Sequence, residues 1–283
     1  MEGILSIQSA VAYGHVGNSA AVFPLQRLGF EAWPVNTVLF SNHTGYGAWR
    51  GHAVGVEEVR EILKGVEERG AYPRTRAVVS GYLGDAALGE AVLDAVAAVR
   101  RVRPEALYAC DPVMGDVGRG FFVKEGIPAF FKDHAVPAAD IVTPNQFELA
   151  HLAGFEIFTL ADALNAAAAV RAMGPGLVLC TSLMVEETGS GLGLLADTAD
   201  GAWLVTTPHL PIDLSGTGDV CTALTLAYWL RFAAPAPMLE AVAGAMYGLV
   251  EATQAAGSRE LLLVEAQDCL VEPRMPFGAR RLR

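Results

Sequence analysis

Lysine is nearly absent from this chain: Lys64, Lys124 and Lys132 are the only three in 283 residues, and arginine carries the remaining positive charge. The formal charge is -11. A broad basic face is therefore missing, which excludes nucleic-acid and anionic-membrane binding as the main activity. The two basic clusters, Arg100-Arg101-Arg103 and Arg280-Arg281-Arg283, read as a solvated helix end and a frayed terminus. Cys110, Cys180, Cys221 and Cys269 lie far apart and form no C-x-x-C pair. That pattern excludes a disulfide scaffold and a cysteine zinc site and suits a reducing cytosol. No uninterrupted apolar run approaches the ~20 residues of a membrane helix. Residues 1–5 carry no basic n-region. The expectation is a soluble, cytoplasmic protein.

Several motifs are missing too. There is no G-x-x-x-x-G-K-[ST] loop, no strand-borne G-x-G-x-x-G and no G-x-S-x-G elbow. Their absence disfavours a P-loop nucleotidase, a dinucleotide enzyme and an α/β-hydrolase. No Pro/Ser-rich linker, composition break or repeat divides the chain, so a single domain over residues 1–283 is the simplest organisation.

What is present is apolar and periodic. Hydrophobic residues make up 52% of the chain, enough for a large core. Strand-like runs at Gly3–Ser9, Glu31–Thr37, Ala77–Gly81, Leu107–Asp111, Asp140–Thr143 and Leu177–Thr181 alternate with helix-period stretches. The helical stretches are Asn18–Leu28, Val56–Arg69, Ala86–Arg101 and Thr159–Met173, then Gly218–Leu230 and Met238–Glu251. Phe40 to His52 reads as a long polar-aromatic loop. Leu192–Ala196 and Ala202–Thr206 read as an antiparallel hairpin near a sheet edge. The fold class is α/β: a mainly parallel central sheet with helices on both faces. Sites in such sheets lie beyond the carboxyl ends of the strands, and the polar signals of this chain fall there.

The sharpest of them is Ser215-Gly216-Thr217-Gly218-Asp219, running into a helix. Glycines at a helix start let the backbone turn tightly and aim free N–H groups at an anion. Asp219 would repel a phosphate that was merely bound there. It makes sense if it takes a proton from an attacking hydroxyl while the N–H groups hold a phosphoryl group. The tetrapeptide alone is evenly balanced between that role and a helix cap. Asp111 and Asp116, after one strand, and Glu148, after the next, could hold Mg²⁺ directly or through water. Taken singly, each is better explained as a turn or cap residue, and the reading rests on the set sharing one sheet edge. Ser9, Phe40 to Gly47 and Ser80 to Gly84 supply hydroxyls and aromatics suited to a flat polar ring. His43 has no second histidine at ligand spacing, which argues against a metal role.

In this order and spacing the segments resemble the pyridoxal kinases, the vitamin B6 branch of the ribokinase superfamily. The likeness runs through Ile7-Gln8-Ser9, Tyr13-Gly14-His15-Val16-Gly17-Asn18, Trp33 to Thr37 and Phe40 to Tyr46. It continues through Ser80 to Gly84, Asp111 to Asp116, Asp140 to Glu148 and Gly216 to Asp219. The resemblance implies a ribokinase-like fold and transfer of the ATP γ-phosphoryl group to the 5′-hydroxymethyl group of pyridoxal, with pyridoxine and pyridoxamine as further acceptors. Asp219 would be the general base. Ser9, Thr44, Gly45 and Tyr82 would meet the vitamer ring, with Val16 and Phe40 as apolar walls. Gly216, Thr217 and Gly218 would surround the ATP phosphates. Thr143, Asn145, Thr181 and Ser182 would line the nucleotide and cation region, and Asp111, Asp116 and Glu148 would position Mg²⁺, partly through water. Potassium would sit near Thr143 and Thr181. The resemblance also implies a homodimer and a loop at Asp116 to Lys124 that closes over ATP. Thr207 and Leu210 would approach the adenine, although Thr207 to Leu214 matches the family poorly. Ala10 stands where relatives often carry histidine, and Thr181-Ser182 replaces a lysine-bearing bacterial pattern. A hydroxymethylpyrimidine kinase of the same fold and a non-catalytic pyridoxal carrier are the rival readings.

Overall fold

The computed structural model describes residues 2–283, and Met1 lies outside the described residues. In chain order the first half comprises β1 (Gly3–Val11), α1 (Asn18–Arg27), β2 (Glu31–Phe40), β3 (Gly51–Ala53), α2 (Val56–Glu68), β4 (Thr75–Ser80) and α3 (Ala86–Val102). Then follow β5 (Leu107–Cys110), β6 (Gly115–Asp116), β7 (Gly120–Phe121), α4 (Ile127–Phe130), α5 (Val136–Ala138), β8 (Ile141–Val142), α6 (Gln146–Ala153) and α7 (Leu160–Arg171). The chain ends with β9 (Leu177–Leu183), β10 (Gly191–Thr198), β11 (Gly201–Pro208), α8 (Thr217–Phe232), α9 (Pro235–Ala255), α10 (Asp268–Val271) and β12 (Arg280–Arg281).

Ten strands form one sheet in the order β12-β11-β10-β9-β8-β5-β4-β1-β2-β3. Pairing is parallel from β2 through β1, β4, β5 and β8 to β9, and antiparallel at both edges. Side chains alternate across the sheet as strand geometry requires. Leu5, Ile7, Val35 and Val78 enter the core beneath α2, α3 and α7. Ile4, Ala32, Ala77 and Val79 enter the opposite core, beneath α1, α8 and α9. With both faces covered, the central strands are mostly apolar, with Ser6, Gln8, Thr75 and Ser80 as buried polar exceptions, and each large apolar side chain contributes roughly 1.5–3 kcal/mol by burial.

The expected hairpin is β10–β11, in register from Gly191↔Pro208 to Thr198↔Gly201. Two expectations need correction. Residues 40–52 are not loop throughout: Gly51–Ala53 pairs with β2 as an edge strand. It is too short to show a period. The C-terminal arginines do not form a frayed end. Arg280 and Arg281 pair with β11, the Arg281 guanidinium lies 5.4 Å from the Trp203 ring centre, and Arg283 donates to fully buried Asp197. Of the other cluster, Arg100 bonds Asp140 and Arg103 bonds Glu2.

The winding direction of the sheet reverses at β1. The chain passes from β1 to β2 on one side, then crosses to β4 on the other. In open α/β sheets such a switch leaves a crevice beyond the strand ends.

Candidate active site

Gly216 and Gly17 each begin a helix at that crevice. Gly216, with φ 85°, is the N-cap of α8, and a Cβ there would lie 1.8 Å from the His15 carbonyl oxygen. Only glycine permits both the left-handed conformation and the contact. Gly17, with φ 54°, is the N-cap of α1 and packs against Ser9, whose carbonyl oxygen a Cβ would meet at 2.1 Å. The two turns interlock, bringing the positive ends of α1 and α8 together.

Asp219 sits in the first turn of α8. Its carboxylate accepts the Gly17 N–H and its own N–H. Burial nevertheless dominates and pushes its pKa up to about 6, the two N–H groups opposing the rise. Gly81, after β4, lies beside the same carboxylate: a Cβ on it would be 3.7 Å from Asp219 Oδ1. Ser9, Val16, Gly81 and Asp219 therefore meet at the ends of β1 and β4. Phe40 joins them through β2, since Val11 pairs with Phe40 and the Ala12 N–H donates to the Phe40 carbonyl. Tyr82 follows Gly81 and is half-buried. Thr44 and Gly45 lie exposed on the turn Thr44–Tyr46. That turn is tied to the Gly216 loop by His43, whose Nδ1 lies 3.1 Å from Ser215 Oγ and also accepts the Gly45 N–H. Burial lowers the His43 pKa, which favours the neutral ring.

The second half of the site is a cleft of ≈ 380 Å³. Asp116, Thr181, Ser182, Thr207 and Leu210 border it, and Thr217 and Gly218 form the end nearest Asp219. Ser182 has φ 53°, a left-handed conformation rare for a side-chain-bearing residue, and such strain clusters at functional sites. The β6–β7 hairpin forms the cleft's outer wall. Arg119, in its turn, donates to Asp213 on the far side at 2.6 Å. A larger groove of ≈ 980 Å³ shares Val117 and Met184 with the cleft but contains none of the predicted acids.

Asp111, Thr143, Asn145 and Glu148 lie deeper, at the ends of β5 and β8. Asp111 is buried beside Gly218, where a Cβ would lie 3.7 Å from Asp111 Oδ2. Burial first, then the charges of Glu148 and Asp219, raise its pKa, while the Thr222 hydroxyl opposes the rise. Thr143 Oγ1 is engaged 2.7 Å from Thr222 Oγ1. Asn145 and Glu148 form a reciprocal capping box on α6. Glu148 accepts the Met114 and Asn145 N–H groups, both at 2.9 Å, and Asn145 Nδ2 donates to the Gly115 carbonyl. Burial pushes Glu148 up to about 8, with those N–H groups opposing. The side chains of Thr143, Asn145 and Glu148 are thus held by protein partners, and Glu148 has the capping geometry expected of a first-turn acid. Among the described residues, no three His, Cys, Asp or Glu side chains converge closely enough to chelate a metal by themselves.

Four residues have a contact in the site that the sequence reading did not assign them. Gly17 supplies an N–H to Asp219, and Thr222 bridges Asp111 and Thr143. His43 joins two loops, and Gln8, buried next to Ser9, directs an amide oxygen without a partner toward Gly81. Gly17, His43 and Gln8 lie in segments that carry the family likeness and Thr222 does not, but in all four cases tertiary packing creates the contact.

An acid in the first turn of α8, held between two helix N-termini beside a glycine turn and a cleft of ≈ 380 Å³, fits an α/β small-molecule kinase of ribokinase type. The phosphomethylpyrimidine kinase family model matches residues 28–259. A pyridoxal kinase of Rubrobacter xylanophilus is 55% identical over 281 residues, covering 99% of this chain and 97% of its own. A pyridoxal kinase of Corynebacterium diphtheriae is 47% identical, covering 99% of both chains. The solved pyridoxal kinase of Leishmania donovani in complex with ADP and pyridoxine superposes with TM-score 0.91 at 32% identity, covering 99% of both chains. The same enzyme with ADP and ginkgotoxin superposes at 0.92, covering 100% of both. This chain belongs to the pyridoxal kinase family.

Proposed function

We propose that this chain transfers the γ-phosphoryl group of ATP to the 5′-hydroxymethyl group of pyridoxal, with pyridoxine and pyridoxamine as further acceptors. One observation carries the reading: the Asp219 carboxylate is held by the Gly17 amide between the starts of α1 and α8, where the Ser9 crevice meets the Gly218 end of the cleft. Relatives that share the whole length of the chain, with ADP and a B6 vitamer in one of them, support the substrate pair.

The acceptor hydroxyl would lie against Asp219, with its ring among Ser9, Val16, Phe40, Thr44, Gly45 and Tyr82. Asp219 takes the hydroxyl proton as the new O–P bond forms and the bond to the ADP oxygen breaks. General-base catalysis contributes ~10²–10⁴ in rate. A carboxylate of ordinary pKa would be a weak acceptor; burial moves this one toward the working pH. The N–H groups of Thr217 and Gly218, at the start of α8, face the place where charge collects on the transferring group. Positioning by the pocket supplies much of the remainder.

The acids fit a magnesium ion that keeps most of its water. Asp111 offers a hard oxygen beside Gly218 and the exposed Asp116 another on the same cleft, and Asp111 is buried among negative charges that a cation would offset. When bound with ATP, Mg²⁺ neutralises phosphate charge. Glu148, with both oxygens bonded to amides, would act through water. A potassium ion would lie near Thr181, because the Thr143 hydroxyl is already engaged by Thr222. We further assign one working domain over residues 1–283, a homodimer and a cytoplasmic location. None of the described helices is long and apolar enough to cross a membrane, and the four cysteines are free.

An ADP-release assay with pyridoxal and Mg·ATP tests the reading. Wild type should turn over, and Asp219→Asn should lose about 10²–10⁴ in kcat with both ligands still bound. Near-normal turnover by the variant would remove Asp219 from the mechanism. A panel including hydroxymethylpyrimidine separates the rival kinase, and binding without ADP release would identify a carrier.

A further inference from the structure

Glu260 lies on the segment after α9, far in sequence from the residues of the vitamer pocket. The Ser258 hydroxyl donates to the Glu260 carbonyl at 2.7 Å and accepts the Glu260 N–H at 3.1 Å, while Leu261 and Leu263 are buried on either side of Leu262. The backbone is therefore fixed, and the carboxylate points into the gap between two pocket loops. Its Oε2 accepts the His15 N–H at 3.0 Å, and its Oε1 accepts the Tyr46 hydroxyl at 2.5 Å. Close approach requires Gly14, with φ 91°, since a Cβ there would be 2.3 Å from Oε2. The neighbouring Arg259 guanidinium covers the Tyr46 ring, 4.5 Å from its centre.

We propose that Glu260 is a positioning residue for the vitamer: one carboxylate clasps the His15 turn to the Thr44–Tyr46 turn and so sets the width of the ring pocket. Each clasped turn carries functional groups on its other side. His15 abuts Gly216 and leads into Val16 and Gly17, whose amide holds Asp219. Tyr46 ends the turn that bears Thr44 and Gly45. Two charge-assisted hydrogen bonds to one acid hold both turns at fixed separation, as a pocket for a flat ring needs. Neither bond touches the nucleotide cleft, whose lining does not include Glu260 or either turn. This inference rests on the vitamer-pocket reading given above.

The test is a split between the two substrates. Glu260→Ala should raise KM for pyridoxal about tenfold or more, as loss of two hydrogen bonds predicts, and leave KM for ATP within about twofold. Glu260→Gln keeps an amide oxygen as acceptor and should recover part of the loss. Tyr46→Phe removes one bond only and should fall between wild type and Glu260→Ala. Unchanged pyridoxal KM in Glu260→Ala would overturn the proposal, as would parallel rises in both KM values. If Glu260→Ala does not fold, Tyr46→Phe and Glu260→Gln decide alone by the same criterion. A wild type that binds pyridoxal without releasing ADP rejects the phosphotransfer reading separately; the dissociation constants of these variants for pyridoxal then test the clasp by the same ordering.

Discussion

The Gly17 amide donates to the Asp219 carboxylate, so that the start of α1 holds the acid borne by α8. Two helix ends would ordinarily keep such an acid strongly ionised. Burial outweighs them, and Asp219 titrates near 6 instead of its ordinary 3.8. Asp219 thus stays mostly ionised at neutral pH yet is a better proton acceptor than a solvated aspartate.

A base must be deprotonated to act, so kcat/KM for pyridoxal should fall about tenfold per unit as pH drops below about 6. The stability effect has the opposite sign. A raised carboxyl pKa favours the fold fully below pH 3.8, and that contribution is lost as pH rises through 6. Asp219→Asn should therefore be more stable than wild type at pH 8, by on the order of 3 kcal/mol, with the difference closing near pH 4. Thermal melts at the two pH values measure it, and a pH-independent gap would contradict the assignment.

Gly216→Ala should disable the enzyme without unfolding it. The new Cβ would fall 1.8 Å from the His15 carbonyl in a left-handed conformation, so the turn must open and the Thr217 and Gly218 amides must move. Loss of aligned anion donors costs about 10²–10³ in kcat. Steady-state kinetics beside a far-ultraviolet circular dichroism spectrum check both halves, and near-normal turnover would show that this turn does not hold the phosphoryl group.

These sites differ in how openly the sequence displays them. Asp219 and its glycines could be read because a turn before a helix is a local event, encoded in five consecutive residues. The sheet could be read for the same reason, as strand and helix periods alternate along the chain. His43 could not be placed, because its partner Ser215 is distant in sequence and no pattern links an imidazole in one loop to a hydroxyl in another. Glu260 and Gly14 meet across a similar separation. The three strand-end acids mark the boundary between the two cases. Asp111, Asp116 and Glu148 follow strand ends as expected, but that both Glu148 oxygens are taken by backbone amides depends on the Met114 turn, which has no signature of its own.

The surroundings of Asp197 distinguish a buried charge from solvated ones. It is fully buried in β10 and accepts Arg171 Nε at 2.9 Å and Arg283 Nη2 at 2.5 Å. Both arginine side chains retain contact with water, at 31% and 41% exposure. Removing the acid frees two guanidinium groups that can hydrate, whereas removing both guanidinium groups strands a carboxylate in the interior. The double variant Arg171→Leu/Arg283→Leu should therefore lose about 3–5 kcal/mol, and Asp197→Asn clearly less. Urea unfolding midpoints at constant m give the comparison. Equal losses would mean that the pair acts through packing of the β10 edge and not through the cost of an unpaired buried charge.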